Sequence, residues 1–133
     1  MIFVDSNVPI YLVGAPHAHK TDSQMILERL IANGERLVTD IEVLQEILHR
    51  YSAIGRRDNM DEAFQIILGL VDEVLPVDKT DVVRAAQIAL KPAVFSARDS
   101  LHPAVMERHN ISSVFTFDAD FDRWPGLTRI HRV

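Results

Sequence analysis

The sequence predicts an α/β fold in which helices cover both faces of a central parallel sheet. Three observations carry that expectation. Short apolar runs rich in Val, Ile and Phe alternate with longer stretches of helical period, which is the pattern of strand–helix–strand crossovers. At 133 residues the chain fits one domain with a real hydrophobic core. Two of its strongest strand-like runs lead directly into an aspartate.

The first of those runs is Met1-Ile2-Phe3-Val4, ending at Asp5-Ser6-Asn7. A buried strand delivers whatever follows it to the sheet edge, and a carboxylate there is costly unless it meets a cation or hydrogen-bond donors. Pro9, Gly14, Pro16, His17 and His19 then mark a loop with room for a short helix. Helical period begins at Thr21 to Ser23, with Met25, Ile26, Leu30 and Ile31 on one face, and Asn33-Gly34 stops it. Arg36-Leu37-Val38 reads as a second strand. Thr39-Asp40-Ile41-Glu42 has the Ser/Thr-x-x-Glu form of a capping box, which makes Glu42 the capping acid. The helix it opens carries Ile41, Leu44, Leu48 and Tyr51 on its expected apolar face, has Glu46 well inside it, and runs toward Gly55.

Gly55-Arg56-Arg57-Asp58-Asn59 is a basic, polar turn before a helix bearing Phe64, Ile67 and Leu70. Val74-Leu75-Pro76-Val77 reads as a third strand, whose proline favours an edge position or a strand end. Asp78 to Asp81 caps an amphipathic segment that ends near Lys91-Pro92. Ser96-Ala97-Arg98-Asp99 precedes another periodic stretch with Leu101, Ala104, Val105 and Met106. Ser113 to Phe117 is a strand followed by Asp118, and Leu127 to Ile130 closes the chain as a short strand after the Trp124-Pro125-Gly126 turn.

Composition narrows the function classes. The chain is 47% hydrophobic and 25% charged, with no apolar run near the length of a membrane helix. Its net charge of −5, from 19 acids against 14 Lys and Arg, argues against a basic nucleic-acid clamp. Cysteine is absent, which excludes disulfides and thiolate metal sites and makes a reducing cytoplasm the simplest home. Acids that converge on divalent cations reverse the local field, so an acidic protein can still act on a polyanion.

Four acids stand out: Asp5, Glu46, Asp99 and Asp118. Asp5 and Asp118 end parallel strands and so emerge at one sheet edge, as neighbours if the strand order reverses between those two strands. Glu46 is either a solvated helix acid or a site acid, and Asp99 can cap a helix, bind a cation, or do both. An all-oxygen set suits Mg²⁺ or Mn²⁺, and two such ions about 3.5–4 Å apart activate water against phosphodiesters. A receiver domain would need a lysine after a late strand, and a haloacid-dehalogenase phosphatase would need Asp where Asn7 stands.

Val4-Asp5-Ser6-Asn7, Thr39 to Glu46, Ser96-Ala97-Arg98-Asp99-Ser100-Leu101-His102 and Thr116-Phe117-Asp118-Ala119-Asp120-Phe121 together resemble a PIN domain of the VapC toxin type, over the whole chain. The resemblance implies a single PIN domain over residues 1–133, a three-layer α/β/α fold with strand order 3-2-1-4-5, and Mg²⁺- or Mn²⁺-dependent cleavage of RNA. It also implies a VapB-type antitoxin and a homodimer. Position by position, Asp5, Glu46, Asp99 and Asp118 match the family's metal-binding acids. Asp120 matches an auxiliary acid, and Asn7 and Thr116 match orienting polar positions. The sequence departs from the family at Asp40, where Ser or Thr is common, and at Pro103, where a small helix former is usual. Arg98 is the basic residue expected nearest substrate, and Arg50, Arg56 and Arg57 could meet RNA phosphates or simply be solvated. His102, three residues after Asp99, reads as a packing or supporting residue, and Phe121 and Trp124 as anchors of a turn. A PIN-like module that binds a protein or RNA without cutting it is the rival class.

Overall fold

The computed structural model describes residues 1–91 and 100–132, and in it β1 (Ile2–Val4) is the middle strand of a parallel sheet. β2 (Leu37–Asp40) and β3 (Glu73–Leu75) lie to one side, and β4 (Ser113–Phe115) and β5 (Thr128–Ile130) to the other, giving the order 3-2-1-4-5. Register is set by Phe3 opposite Val38 and Val114. All three residues of β1 are buried, as an apolar run without alternation requires when both sheet faces are covered. The expected three-layer α/β/α architecture is present.

Between the strands lie α1 (Asn7–Val13), α2 (Ala18–Ala32), α3 (Ile41–Ala53), α4 (Arg57–Leu70), α5 (Lys79–Ala89) and α6 (Leu101–Arg108). α1 packs on α2 and α4, α3 on α4, and α5 on α6. The main core joins Phe3, Phe115, Ile26, Ile47, Ile67 and Met106, and a smaller cluster of Ala85, Ile88 and Ala104 sits beneath Leu101 and Trp124. Phe121, 2% exposed, belongs to the main core, so both aromatic residues of the late turn serve as its anchors.

Several local readings are corrected. α2 begins at Ala18, three residues early, because the His17 imidazole accepts from the His19 amide and caps it. Its buried face is Ser23, Ile26, Leu27 and Leu30, while Met25 and Ile31 are exposed. The cap of α3 is Asp40, whose Oδ1 accepts from the Val43 amide at 2.9 Å. Thr39 stays in β2 and donates its hydroxyl to the Val4 carbonyl at 2.8 Å, so Thr39 and Glu42 form no capping box. The face of α3 shifts accordingly: Val43, Ile47 and Tyr51 are buried, whereas Ile41 and Leu48 are about half exposed. β4 ends at Phe115, which leaves Thr116 and Phe117 between the strand and Asp118.

Other expectations hold. Gly34, at φ 70°, ends α2 in a left-handed conformation that glycine adopts without a Cβ clash. Asp78 and Asp81 form a reciprocal capping box at the start of α5. Pro103 falls in the first turn of α6, where a missing amide leaves no helical bond unmade. Asp99 and Arg98 lie outside the described residues.

Candidate metal centre

Asp5 leaves β1 at the carboxyl edge of the sheet, its amide still paired with the Phe115 carbonyl at 3.1 Å. The residue is 5% exposed and its side chain collects donors: the Ser6 amide on Oδ1 at 2.8 Å, and the Thr116 hydroxyl and Asn7 amide on Oδ2 at 2.7 and 3.3 Å. Burial pushes its pKa up to about 6. The nearby His102 lowers it and Glu46 raises it further.

Glu46 arrives from the second turn of α3 and is half-buried. Its Oε2 accepts from the Ser6 hydroxyl at 2.9 Å, so Ser6 links the two acids, and its Oε1 meets His102 Nε2 in a short contact. His102 projects from the first turn of α6 with its ring 5.3 Å from that of Phe3 and only 3% exposed. Its Nδ1 lies 2.8 Å from Asp40 Oδ2, and its Nε2 lies 3.8 Å from Asp5 Oδ1. Burial would depress the imidazole pKa, but the carboxylates of Asp40, Glu46 and Asp5 outweigh it and hold the pKa well above its usual value. The ring both packs and holds acids.

Thr116 is fully buried and its hydroxyl is a junction. It donates to Asp5, and accepts from Asn7 Nδ2 at 2.9 Å and from the Asp118 amide at 3.0 Å. Asn7 also accepts the Phe117 amide on Oδ1 at 3.3 Å. Asp118 is thereby hung one hydroxyl away from Asp5. Its own Oδ1 accepts the Asp120 amide at 2.9 Å and caps a 3-10 turn at Ala119–Arg123. Asp120 lies 3.8 Å from Arg123.

The acids read from the sequence are therefore disposed unequally. Asp5 and Glu46 converge with His102, offering ligand atoms that all lie within 4.8 Å of one another. Asp118 is tied to Asp5 through Thr116 but is not part of that group among the described residues. The buried set is mixed nitrogen–oxygen where the sequence suggested oxygen alone. Three residues of the centre were not read from the sequence as parts of it: Ser6, Asp40 and, in this central position, His102. Asp40 was visible only as a departure from the family pattern. Arg50 is exposed one turn beyond Glu46, and Arg56 and Arg57 follow past the far end of α3.

Buried carboxylates gather at the carboxyl end of the central parallel strand, at the point where strand order reverses, which is where open α/β sheets place their binding sites. A family model described as "PIN domain" matches residues 2–127, and the chain belongs to the PIN-domain family. Within that family it is 55% identical over 130 residues to ribonuclease VapC13 of Mycobacterium tuberculosis, covering 98% of this chain and 99% of that protein. It is 36% identical over 118 residues to ribonuclease VapC23 of the same species, covering 89% and 93%. Among solved structures, Mycobacterium tuberculosis VapC20, described as a sarcin–ricin loop cleaving toxin, superposes with a TM-score of 0.79 at 24% identity, covering 98% and 99% of the two chains. VapBC2 of Rickettsia felis bound to promoter DNA does so at 0.75 and 18% identity, with 98% of each chain covered. At those identities the likeness is one of fold.

Proposed function

We propose that this protein is a metal-dependent endoribonuclease, the toxin of a type II toxin–antitoxin pair, with Asp5, Glu46, Asp99 and Asp118 holding Mg²⁺ or Mn²⁺. The observation that carries the reading is the buried Asp5 carboxyl meeting Glu46 at the strand-order reversal, in a chain 55% identical to a VapC ribonuclease. The donor set fits a hard cation: two buried or half-buried carboxylates in one group, held apart by donors rather than by lysine or arginine. When bound, the cation lowers the pKa of a water and stabilises charge on the phosphodiester oxygens. The chain's own residues prepare that chemistry. Ser6 and Thr116 fix the Asp5 carboxyl, the Ser6 hydroxyl sets the distance from Asp5 to Glu46, and Thr116 with Asn7 orients the backbone entering Asp118. Asp120 is an auxiliary acid in this reading, and Arg98 and Arg50, with Arg56 and Arg57, meet RNA phosphates.

The named relatives and the VapBC complexes among the solved structures support a VapB-type antitoxin as partner. A homodimer and a cytoplasmic location complete the reading; among the described residues no helix is long and apolar enough to cross a membrane. Purified protein should cleave single-stranded RNA only with added Mg²⁺ or Mn²⁺, and Asp5→Asn should abolish cleavage. Cutting that persists in chelator overturns the mechanism, and RNA or antitoxin binding without any cutting identifies the non-catalytic module instead.

A further inference from the structure

We propose that His102 Nε2 is itself a ligand of the divalent cation and that Asp40 fixes the ring for that task, giving a mixed nitrogen–oxygen site that prefers Mn²⁺ to Mg²⁺. This rests on the metal-dependent reading above and adds to it the ligand set and the ion. The first argument is reach. Nε2 touches Glu46 Oε1 and lies 3.8 Å from Asp5 Oδ1, and the three residues' ligand atoms fall within 4.8 Å of one another. Ligands about 2.1 Å from one cation are about 3.0 to 4.2 Å apart, so the longer pairs need only a slight contraction while Nε2 and Glu46 Oε1 move apart to admit an ion.

The second argument is orientation. Asp40 is fully buried and uses both oxygens: Oδ1 takes the Val43 amide and Oδ2 faces His102 Nδ1 at 2.8 Å. A carboxylate can only accept there, so Nδ1 carries its hydrogen and the remaining ring nitrogen, Nε2, is the one aimed at Asp5 and Glu46. Carboxylate behind, imidazole between and cation in front is the arrangement by which proteins fix metal-binding histidines. Since Asp40 also caps α3, its carboxyl cannot turn away from the ring without uncapping the helix that brings Glu46.

The third argument is charge and ligand type. Three carboxylates, Asp5, Asp40 and Glu46, surround one imidazole, an excess of negative charge that a divalent cation offsets. To hold a cation, Nε2 would exchange its contact with Glu46 for the ion, and any hydrogen on Nε2 would leave to solvent. An imidazole ligand suits Mn²⁺ better than Mg²⁺, which holds to oxygen and water.

The test is pulsed electron paramagnetic resonance on the full chain carrying ¹⁵N-labelled histidine and loaded with Mn²⁺. The expected result is a coupling from a directly bound histidine nitrogen that vanishes in His102→Gln, with Mn²⁺ displaced only by a large excess of Mg²⁺. Asp40→Asn, which preserves a cap for α3, should keep the coupling and weaken Mn²⁺ binding by about 10- to 100-fold. Bound Mn²⁺ without histidine coupling in the unsubstituted protein overturns the proposal and leaves the metal-dependent reading intact. A coupling that survives His102→Gln also overturns it, and absence of any Mn²⁺ binding defeats both. Should His102→Gln not fold, the unsubstituted spectrum and Asp40→Asn decide.

Discussion

Replacing Thr116 by valine removes one oxygen and almost no volume. That oxygen donates to Asp5 Oδ2 at 2.7 Å and accepts from Asn7 Nδ2 and the Asp118 amide at 2.9 and 3.0 Å, in a side chain with no solvent exposure. A hydrogen bond to a charged group contributes about 1.5–3 kcal/mol and a neutral one about 0.5–1.5. Asn7 is half-buried and keeps a 3.3 Å contact with Asp5, so its loss is partial. The total is about 3 kcal/mol. At about 2.1 cal/mol/K of unfolding entropy per residue, 133 residues convert this to roughly 10 °C in Tm. Thr116→Ser is the control: it keeps the hydroxyl, loses a methyl and costs about 1 kcal/mol. Because the lost donor favours the ionised Asp5, the valine penalty should be larger at pH 7.5 than at pH 4.5. Urea unfolding of both variants at both pH values measures it. Equal stabilities for the valine and serine variants, or a valine penalty that does not grow with pH, would refute the junction role assigned to this hydroxyl.

Three more outcomes are expected. Asp5 has a folded-state pKa of about 6 against an ordinary 3.8, so the native state holds its proton more tightly than the unfolded chain and this residue's contribution to stability falls as pH rises from about 4 to 6. The stability of Asp5→Asn relative to the unsubstituted metal-free protein should therefore rise across that window by up to about 3 kcal/mol, and a flat difference would contradict it. The raised pKa of His102 acts with the same sign: the stabilisation is complete below about 6.5 and is lost as pH climbs through the folded value, so in metal-free protein the NMR carbon shifts of the His102 ring should stay those of an imidazolium to higher pH than in the unfolded chain. A ring that titrates at the ordinary imidazole value would contradict the acid cage around it. Arg108 clamps the buried Asp81 through two contacts of 2.7 and 2.8 Å, and although burial pushes the Asp81 carboxyl up, those bonds hold it below its ordinary pKa. Arg108→Met should cost about 3 kcal/mol in urea unfolding because it strands a buried charge; a change under about 1 kcal/mol would mean that solvent reaches Asp81.

What could be read in the sequence was what local chemistry decides. The apolar run before Asp5, the glycine stop at Gly34 and the acid pair opening α5 each act within a few residues, and each stands where the pattern put it. The face of α3 was misread because the helix offers two apolar stripes, Ile41 with Leu48 and Val43 with Ile47. Only the packing of α3 on α4 and β2 selects between them. Thr39 looked like a cap because nothing local announces that its hydroxyl belongs to the Val4 carbonyl of the neighbouring strand. The same limit hid the centre's middle. Asp40 and His102 are 62 positions apart, and their pairing depends on α6 crossing the edge where β2 ends. Asp5 could be placed because strands have ends; His102 could be read only as a packing or supporting residue, because its partners are supplied by tertiary structure.

The double duty of Asp40 has a practical consequence. One oxygen serves the first turn of α3 and the other serves the imidazole, so the Val43 amide shares a carboxylate with the heart of the site while standing outside it. Any shift of the ring must alter the electron density that the amide proton feels. Its resonance in a simple ¹⁵N–¹H spectrum of ¹⁵N-labelled protein is a gauge, readable without substrate, of whether His102 is resting, displaced or pulled forward.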